Sequence, residues 1–478
     1  MPTNIPSPTH HGPDDATGFA SESVPGFATL PPDHDPGSPG PVPAPNDPEP
    51  DHAVGPAVPS AGSRLPLHRQ RDFVSLWVAQ SISQFGTHVS LLALPLAAAV
   101  TLDASPAQMG LLTALERLPF LLFGLLAGVW VDRRRRQGLM VWADYGRAAL
   151  LGLVPLAALA GWLRIELLFG VAFLVGVLTL VFDVAYVAYL PAIVRRDQLT
   201  AANSRLETSF AVAQTAGPGL GGALVGLVGA PLAIGLDALS FLVSGALVAR
   251  IRTAEPSVAA GERPTPAAVG RETAEGVRAL LGDARLRAIT ACSMTTSTFG
   301  WGFLAIYILF MTRELGFSAG TIGLVLTMGG VGSTLGAVIA GPATRRLGVG
   351  RTIILAQVVN TLGALAIPLA ILVPGWALAM LAVSESVQWG ALTLYGVVQV
   401  SLRQAIVPDR LRGRVTATLR FLVTGGAALG GLLGGWLGGR IGLGPALIVL
   451  GLGMGFSVLW VTLSPLRSLR DYPEAAGV

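Results

Sequence analysis

Long apolar stretches and short polar connections alternate along this chain from Phe73 almost to its end. Six apolar runs cover about 73–100, 107–131, 138–161, 166–190, 206–228 and 231–250. A polar stretch at 251–285 interrupts them. Six more runs cover about 287–312, 318–341, 351–373, 376–401, 415–438 and 443–465. Each approaches or exceeds the roughly 20 residues that an α-helix needs to cross the hydrocarbon core of a bilayer. The pattern predicts an all-α, polytopic membrane protein of about twelve spans. Residues 1–66 differ, being dominated by Pro, Gly, Ser, Asp and Glu, and predict a disordered tail without the basic start and apolar core of a signal peptide.

Composition agrees with that class. Hydrophobic residues make up 52% of the 478 positions and charged ones only 13%, against about a quarter in a soluble chain. Sixty glycines fit helices that approach one another closely in lipid. The single cysteine, Cys292, excludes an intrachain disulfide and reads as a small apolar core residue. All 32 basic side chains are arginine, so the chain lacks the lysine of a phosphate-binding P-loop or of a pyridoxal or retinal Schiff base. No cofactor is expected, and energy must come from an ion gradient or a separate partner. The tail histidines His10, His11, His34 and His52 have no ligand spacing, so no metal is expected.

The arginines fix an orientation. Arg69, Arg71, Arg133 to Arg136, Arg195, Arg196, Arg250 and Arg252 fall in every second connection of the first half. Arg345, Arg346, Arg351, Arg403, Arg410, Arg412, Arg414, Arg467 and Arg470 do so in the second, while the intervening connections carry only Arg164, Arg313 and Arg440. The positive-inside rule then places both termini and the central loop in the cytoplasm of a multi-pass plasma-membrane protein. The net charge of +4 reflects this orientation rather than nucleic-acid binding. Within the central loop, Val277, Leu280 and Leu281 share one helical face and Glu272 and Glu275 another, which suits either a short surface helix or a solvated linker turn.

The two halves repeat one another. Gly128-Val-Trp-Val-Asp132-Arg133-Arg134-Arg135-Arg136 follows the second run, and Gly336 to Gly341, then Pro-Ala-Thr-Arg345-Arg346, follows the eighth. The fourth run exits through Leu190-Pro191-Ala-Ile-Val-Arg195-Arg196-Asp197, and the tenth through Gln404 to Arg414. Together with Asp144-Tyr-Gly-Arg147, Leu199 to Asn203 and Leu236-Asp237-Ala-Leu-Ser240-Phe241, these segments resemble the major facilitator superfamily, in its enterobactin-exporter-like and macrolide-efflux-like branch. The resemblance spans about residues 67–468. It implies two pseudo-symmetric six-helix bundles, with substrate bound between them and access alternating from side to side. The expected division is a tail at 1–66, bundles at 67–252 and 286–468, a cytoplasmic loop at 253–285 and a short tail at 469–478. The resemblance also implies a gating motif in Gly128, Asp132, Arg133, Arg136, Gly341, Arg345 and Arg346. Asp132 would face the N-terminus of the eleventh span, although a loop ion pair with its own arginines is the bland reading. Gly217-Pro218-Gly219-Leu-Gly221-Gly222 predicts a bend packed tightly on a neighbouring helix. By resemblance it is an export motif.

Ionisable groups at membrane depth are costly and usually functional. Glu116, Arg117, Asp183, Asp237 and Glu385 lie within the runs, and Asp144 and Arg147, one helical turn apart, form an expected intramembrane pair. Glu116, Asp183 and Glu385 are the candidates for carrying a coupling proton, against the alternative of static hydrogen bonds between helices. Thr295, Thr296, Ser297, Trp301, Gln388 and Trp389 are candidates for facing the cargo. The sequence thus predicts a secondary transporter, not an enzyme, that exports a small amphipathic molecule such as a siderophore or macrolide by proton antiport. Its expected partners are that molecule, protons and the lipid bilayer, and it is expected to work as a monomer. A nutrient importer, an integral-membrane enzyme and a transport-dead sensor remain as alternatives; the enzyme would need an acidic or histidine cluster that the spans lack.

Overall fold

A computed structural model describes residues 66–131, 133–253, 255 and 266–473. The N-terminal tail and Asp132 lie outside them. Every described element is helical. The long helices are α1 (Arg71–Leu96), α2 (Pro106–Val131), α3 (Arg136–Leu159), α4 (Ile165–Ile193), α5 (Leu199–Val228) and α6 (Ala230–Ala249). After the shorter α7 (Pro266–Gly282) come α8 (Ala284–Arg313), α9 (Ala319–Leu347), α10 (Val349–Leu369), α11 (Ala377–Ile406), α12 (Asp409–Ile441) and α13 (Leu443–Thr462). Eleven of these have the length and apolarity of a membrane span. The 26-residue α2 packs among them on α4, α8 and α12.

Local chemistry sets the helix ends. Gly229, Gly348 and Gly442 take φ of 83°, 85° and 87° between α5 and α6, α9 and α10, and α12 and α13. That left-handed geometry turns the chain sharply into the next helix and is open to glycine without a Cβ penalty. Asp283 caps α8 by accepting from the amides of Arg285 and Leu286. Hydrogen bonds and charge from Arg285 hold the Asp283 carboxyl below its ordinary value. Glu255 caps α3, accepting from the amides of Arg136 at 2.9 Å and Gln137 at 2.6 Å.

The packing repeats by a pseudo-two-fold. In the first bundle α1 lies on α5 and α6, α3 on α4 and α6, and α2 on α4. In the second, α8 lies on α12 and α13, α10 on α11 and α13, and α9 on α11. Between the bundles α2 meets α12 and α5 meets α9, again equivalent pairs. Glycines explain how closely these helices approach: a Cβ added at Gly323 would stand 2.8 Å from the Cα of Gly222, and one at Gly110 would stand 2.8 Å from the Cα of Gly435.

Several helices outrun the apolar stretches. α5 begins at Leu199 rather than 206, α9 continues to Leu347, α11 to Ile406, and α12 starts at Asp409. Their arginine-bearing ends are polar helix beyond the hydrocarbon, which a count of apolar residues does not register. In the central loop the described residues form a helix that packs on other helices. α7 begins five residues before the amphipathic segment and docks on α12 and α8. Leu280 is buried beside Leu286, Val407 and Val415, whereas Leu281 is exposed. Glu275 pairs with Arg414 of α12.

Candidate functional site

The apolar cores show where the two bundles meet and where they part. One large cluster joins Leu92 to Ala99 of the first bundle to Ile306 to Met311, Ile322 and Val325 of the second. It lies at the end away from the arginine-rich connections. At the arginine-bearing end the clusters are separate, one around Phe73, Met140 and Tyr189, the other around Ile289, Ile353 and Leu402. The closed end is also tied across the bundles by Arg313, whose guanidinium donates to Asp103 at 2.5 Å and to the Ala104 carbonyl at 2.9 Å. Towards the arginine-bearing end, a Cβ added at Gly124 or Gly128 of α2 would meet nothing within 4 Å.

Between the parted bundles lies a cavity of about 650 Å³. α1 supplies Gln84 and His88, α2 Glu116 and Arg117, and α4 Asp183 and Tyr186. From the other bundle α8 supplies Trp301 and α12 Arg420. The Arg117 guanidinium lies over the Trp301 ring, 3.9 Å from its centroid, in a cation–π contact that crosses between bundles. Glu116 and Asp183 are half-buried and make no hydrogen bond to a described residue. The guanidinium charges of Arg147 and Arg420 act on Asp183 from opposite bundles.

A second, smaller chamber of about 150 Å³ opens beside the first and shares His88, Leu91, Glu116 and Trp301 with it. Its far wall is Glu385 and Trp389 of α11. The Trp389 indole donates to Glu385 Oε1 at 3.0 Å, and the buried Tyr307 hydroxyl of α8 lies beside the same carboxyl. Gly329 of α9 makes the room, since a Cβ there would stand 2.7 Å from Trp389 Cδ1.

Asp144 and Arg147 form a buried ion pair. Ser244 donates to Asp144 Oδ2 at 2.8 Å, and the Phe182 and Phe241 rings flank the guanidinium at 4.4 and 4.2 Å. Asp237, 1% exposed, accepts from Ser240 at 2.9 Å and adds a further carboxylate to this group. Gly217 and Gly221 press against His88 and Val89 of α1, Gly222 against Gly323 of α9, and Pro218 lines the chamber. α5 runs through this segment as a single helix. Of the other residues of the predicted gating motif, Arg133, Arg345 and Arg346 are exposed, and Gly341 is open apart from Arg345.

Of the residues proposed to face cargo, Ser297, Trp301 and Trp389 line the cavities. Thr295 instead accepts from Trp460 of α13 at 3.0 Å, Thr296 is buried within its bundle, and Gln388 packs towards Gly363 of α10. A polar residue in a span can turn to any of three neighbouring helices, and spacing alone does not say which. Arg420, His88 and Tyr307 were not singled out from the sequence. Arg420 carried a signal, being an arginine inside the eleventh apolar run.

Known proteins carry the same architecture. A bacterial homologue of the iron transporter ferroportin, in an inward-facing state, superposes with a TM-score of 0.69 at 16% identity, covering 84% of this chain and all of that one. A bacterial homologue of the human lysosomal transporter Spinster, inward-facing and occupied, gives 0.65 at 16% identity, covering 84% and 97%. In sequence, the MFS-type transporter YkuC of Bacillus subtilis (strain 168) is 27% identical over 188 residues, 39% of this chain and 43% of YkuC. YfiS of the same organism is 37% identical over 84 residues, 17% of this chain and 20% of YfiS. Both matches thus span less than half of the relative's length. Residues 62–475 match the family described as transmembrane secretion effector. With that match over most of the chain and the two-bundle fold beneath it, the protein belongs to the transmembrane secretion effector family of the major facilitator superfamily.

Proposed function

We propose that this chain is a secondary exporter, moving a small amphipathic molecule out of the cytoplasm by proton antiport with alternating access. The observation that carries the reading is the shape of the apolar core, continuous between bundles at one end and divided at the other around a 650 Å³ cavity. Such a molecule has two exclusive ways to close, one at each end. If the arginine-bearing end faces the cytoplasm by the positive-inside rule, the state described is open to the cytoplasm and ready to load. The aromatic lining suits a drug-sized, amphipathic cargo such as a siderophore or macrolide rather than a sugar. Glu116, Asp183 and Glu385 supply carboxyls without a full set of partners, which is what competition between a proton and cargo requires. The bundles at 67–252 and 286–468 would be the moving bodies, joined by the loop at 253–285, with both termini cytoplasmic.

The test is transport in everted membrane vesicles holding a proton gradient, with a panel of macrolides, siderophores and cationic dyes. An exporter accumulates its cargo inside such vesicles and dissipates the gradient as it does so. Accumulation in right-side-out vesicles instead would make the protein an importer. Glu116→Gln, Asp183→Asn and Glu385→Gln are then compared for cargo-driven proton movement. Undiminished movement in all three variants ends the assignment of the proton to these carboxyls.

A further inference from the structure

We propose that the groove between Trp130 and Trp142, at the arginine-bearing end of α2 and α3, binds one anionic phospholipid, with its phosphodiester held by Arg133, Arg134 and Arg135 and an acyl chain laid along α3. The groove shares no lining residue with the two cavities between the bundles, so it stands apart from cargo, direction and coupling.

The charge of the occupant comes from the arginines. From Trp130 to Trp142 the chain carries four arginines against one acid, Asp132. Arg133, Arg134 and Arg135 are exposed, and their guanidinium groups make no hydrogen bond or ion pair with a described residue. Arg134 rests instead on the Trp130 ring, 5.0 Å from its centroid. The groove measures about 860 Å³, and no described carboxylate lines it. Gly138 leaves its floor open, since a Cβ there would meet nothing within 4 Å. Three like charges in successive residues repel one another. A phosphodiester removes that repulsion through the forked, charge-assisted hydrogen bonds that a guanidinium is shaped to make.

The apolar half of the site separates a lipid from a soluble phosphate. Trp130 is 40% exposed and Trp142 59%, two indoles set where a span leaves the hydrocarbon, the level such rings favour. Beyond Trp142 the exposed residues of α3 continue at Tyr145, Ala149, Leu153 and Leu156, a helical spacing that draws one stripe down the helix. Trp142 to Leu153 rises about 16 Å, close to one leaflet of a hydrocarbon core about 30 Å thick. α3 has the length and apolarity of a span, so the stripe suits an acyl chain and the arginines at its end suit a headgroup. The repeat supplies a contrast. The equivalent connection of the second bundle, Arg345-Arg346-Leu347-Gly348, has two arginines, and no tryptophan occurs between 337 and 357. There the amides of Val349 and Gly350 at the start of α10 donate to the carbonyls of Arg470 and Leu469. The headgroup site is built on the first bundle alone.

Native mass spectrometry of the full-length protein in neutral detergent reads the affinity of the first bound lipid. The probes are phosphatidylglycerol and phosphatidylcholine with the same acyl chains. Phosphatidylglycerol is expected to bind about tenfold more tightly. Arg133→Gln, Arg134→Gln and Arg135→Gln combined should abolish that preference. Arg410→Gln, Arg467→Gln and Arg470→Gln combined, which remove three exposed arginines elsewhere at the same end, should leave it within about twofold. Equal affinity of the two lipids for the wild-type protein overturns the proposal. So does a preference lost equally in both arginine variants, which would mark a diffuse basic surface. Inorganic phosphate that displaces phosphatidylglycerol at the lipid's own concentration would mark a phosphate site and overturn it as well. Should the first variant insert poorly, Trp130→Ala with Trp142→Ala, which keeps every charge, decides: weaker binding of phosphatidylglycerol supports the groove, and unchanged binding sinks it.

Discussion

Arg147 shows how a single side chain organises one bundle. Its guanidinium pairs with Asp144, lies between Phe182 and Phe241, and has Asp237 and Asp183 within reach of its charge. Breaking one side of a buried pair leaves the other charge uncompensated, which costs about 3–5 kcal/mol. Asp144→Ala should therefore lower the yield and the melting temperature of the purified protein sharply. Asp144→Asn, which keeps one oxygen for Arg147 and whose amide can donate to the Ser244 hydroxyl, should lose less; equal losses would mean that shape rather than charge is at stake. The pairing was legible from a spacing of three residues on one helix. Its surroundings were not, because Phe182, Asp237 and Ser244 come from α4 and α6 and meet Arg147 only once the helices pack. The same holds for Arg117, which the sequence sets beside Glu116 and the fold sets on Trp301 of the other bundle.

At the scale of elements, helix ends are set by local chemistry and can be tested one at a time. Asp283 caps α8 and stands outside the membrane-spanning segments, with its carboxyl held below the ordinary range by Arg285. Asp283→Ala should destabilise the first turn of α8 by about 1 kcal/mol, read as faster hydrogen exchange at Arg285 and Leu286 near neutral pH. Because the folded carboxyl titrates below its unfolded value, the cap is fully present above about pH 4 and is lost as pH falls through the depressed value. The wild-type and Asp283→Ala proteins should therefore converge in acid; a constant difference would mean that the cap acts through packing. α7 is a second case. Gly276 lies where a Cβ would stand 2.9 Å from the Arg414 carbonyl. Gly276→Val should lift α7 off α12, seen as proteolysis within 266–282, while the spans remain folded. Its amphipathic face was visible in Val277 and Leu280, but whether that face met lipid, water or α12 depended on what stood opposite.

For the whole molecule, the consequential contacts are those between bundles. Gly222 against Gly323 and Gly110 against Gly435 let the closed end close. Gly222→Leu overpacks that contact by about 1–3 kcal/mol, which, in the alternation proposed above, shifts the balance between states about five- to 150-fold toward closure at the arginine-bearing end. Spin labels introduced by Arg133→Cys and Arg346→Cys in a Cys292→Ser background should then lie closer together than in the parent. An unchanged distance would show that these glycines do not limit the motion.

The sequence alone determined the class and order of the long helices, the separation of arginines onto one end, the two-fold repeat and the short-range pair Asp144–Arg147. Each of these follows from local quantities: apolar length, charge spacing and helical periodicity. Only the tertiary structure decided which face of each helix meets which neighbour. That choice turned Thr295 to α13 and Gln388 towards α10, brought Glu116 and Glu385 from opposite bundles to one chamber, and closed one end of the cavity on glycines. In a membrane most faces of a span are apolar enough to meet lipid, so hydrophobicity fixes the depth of a residue and leaves its rotation about the helix axis largely to close packing between helices.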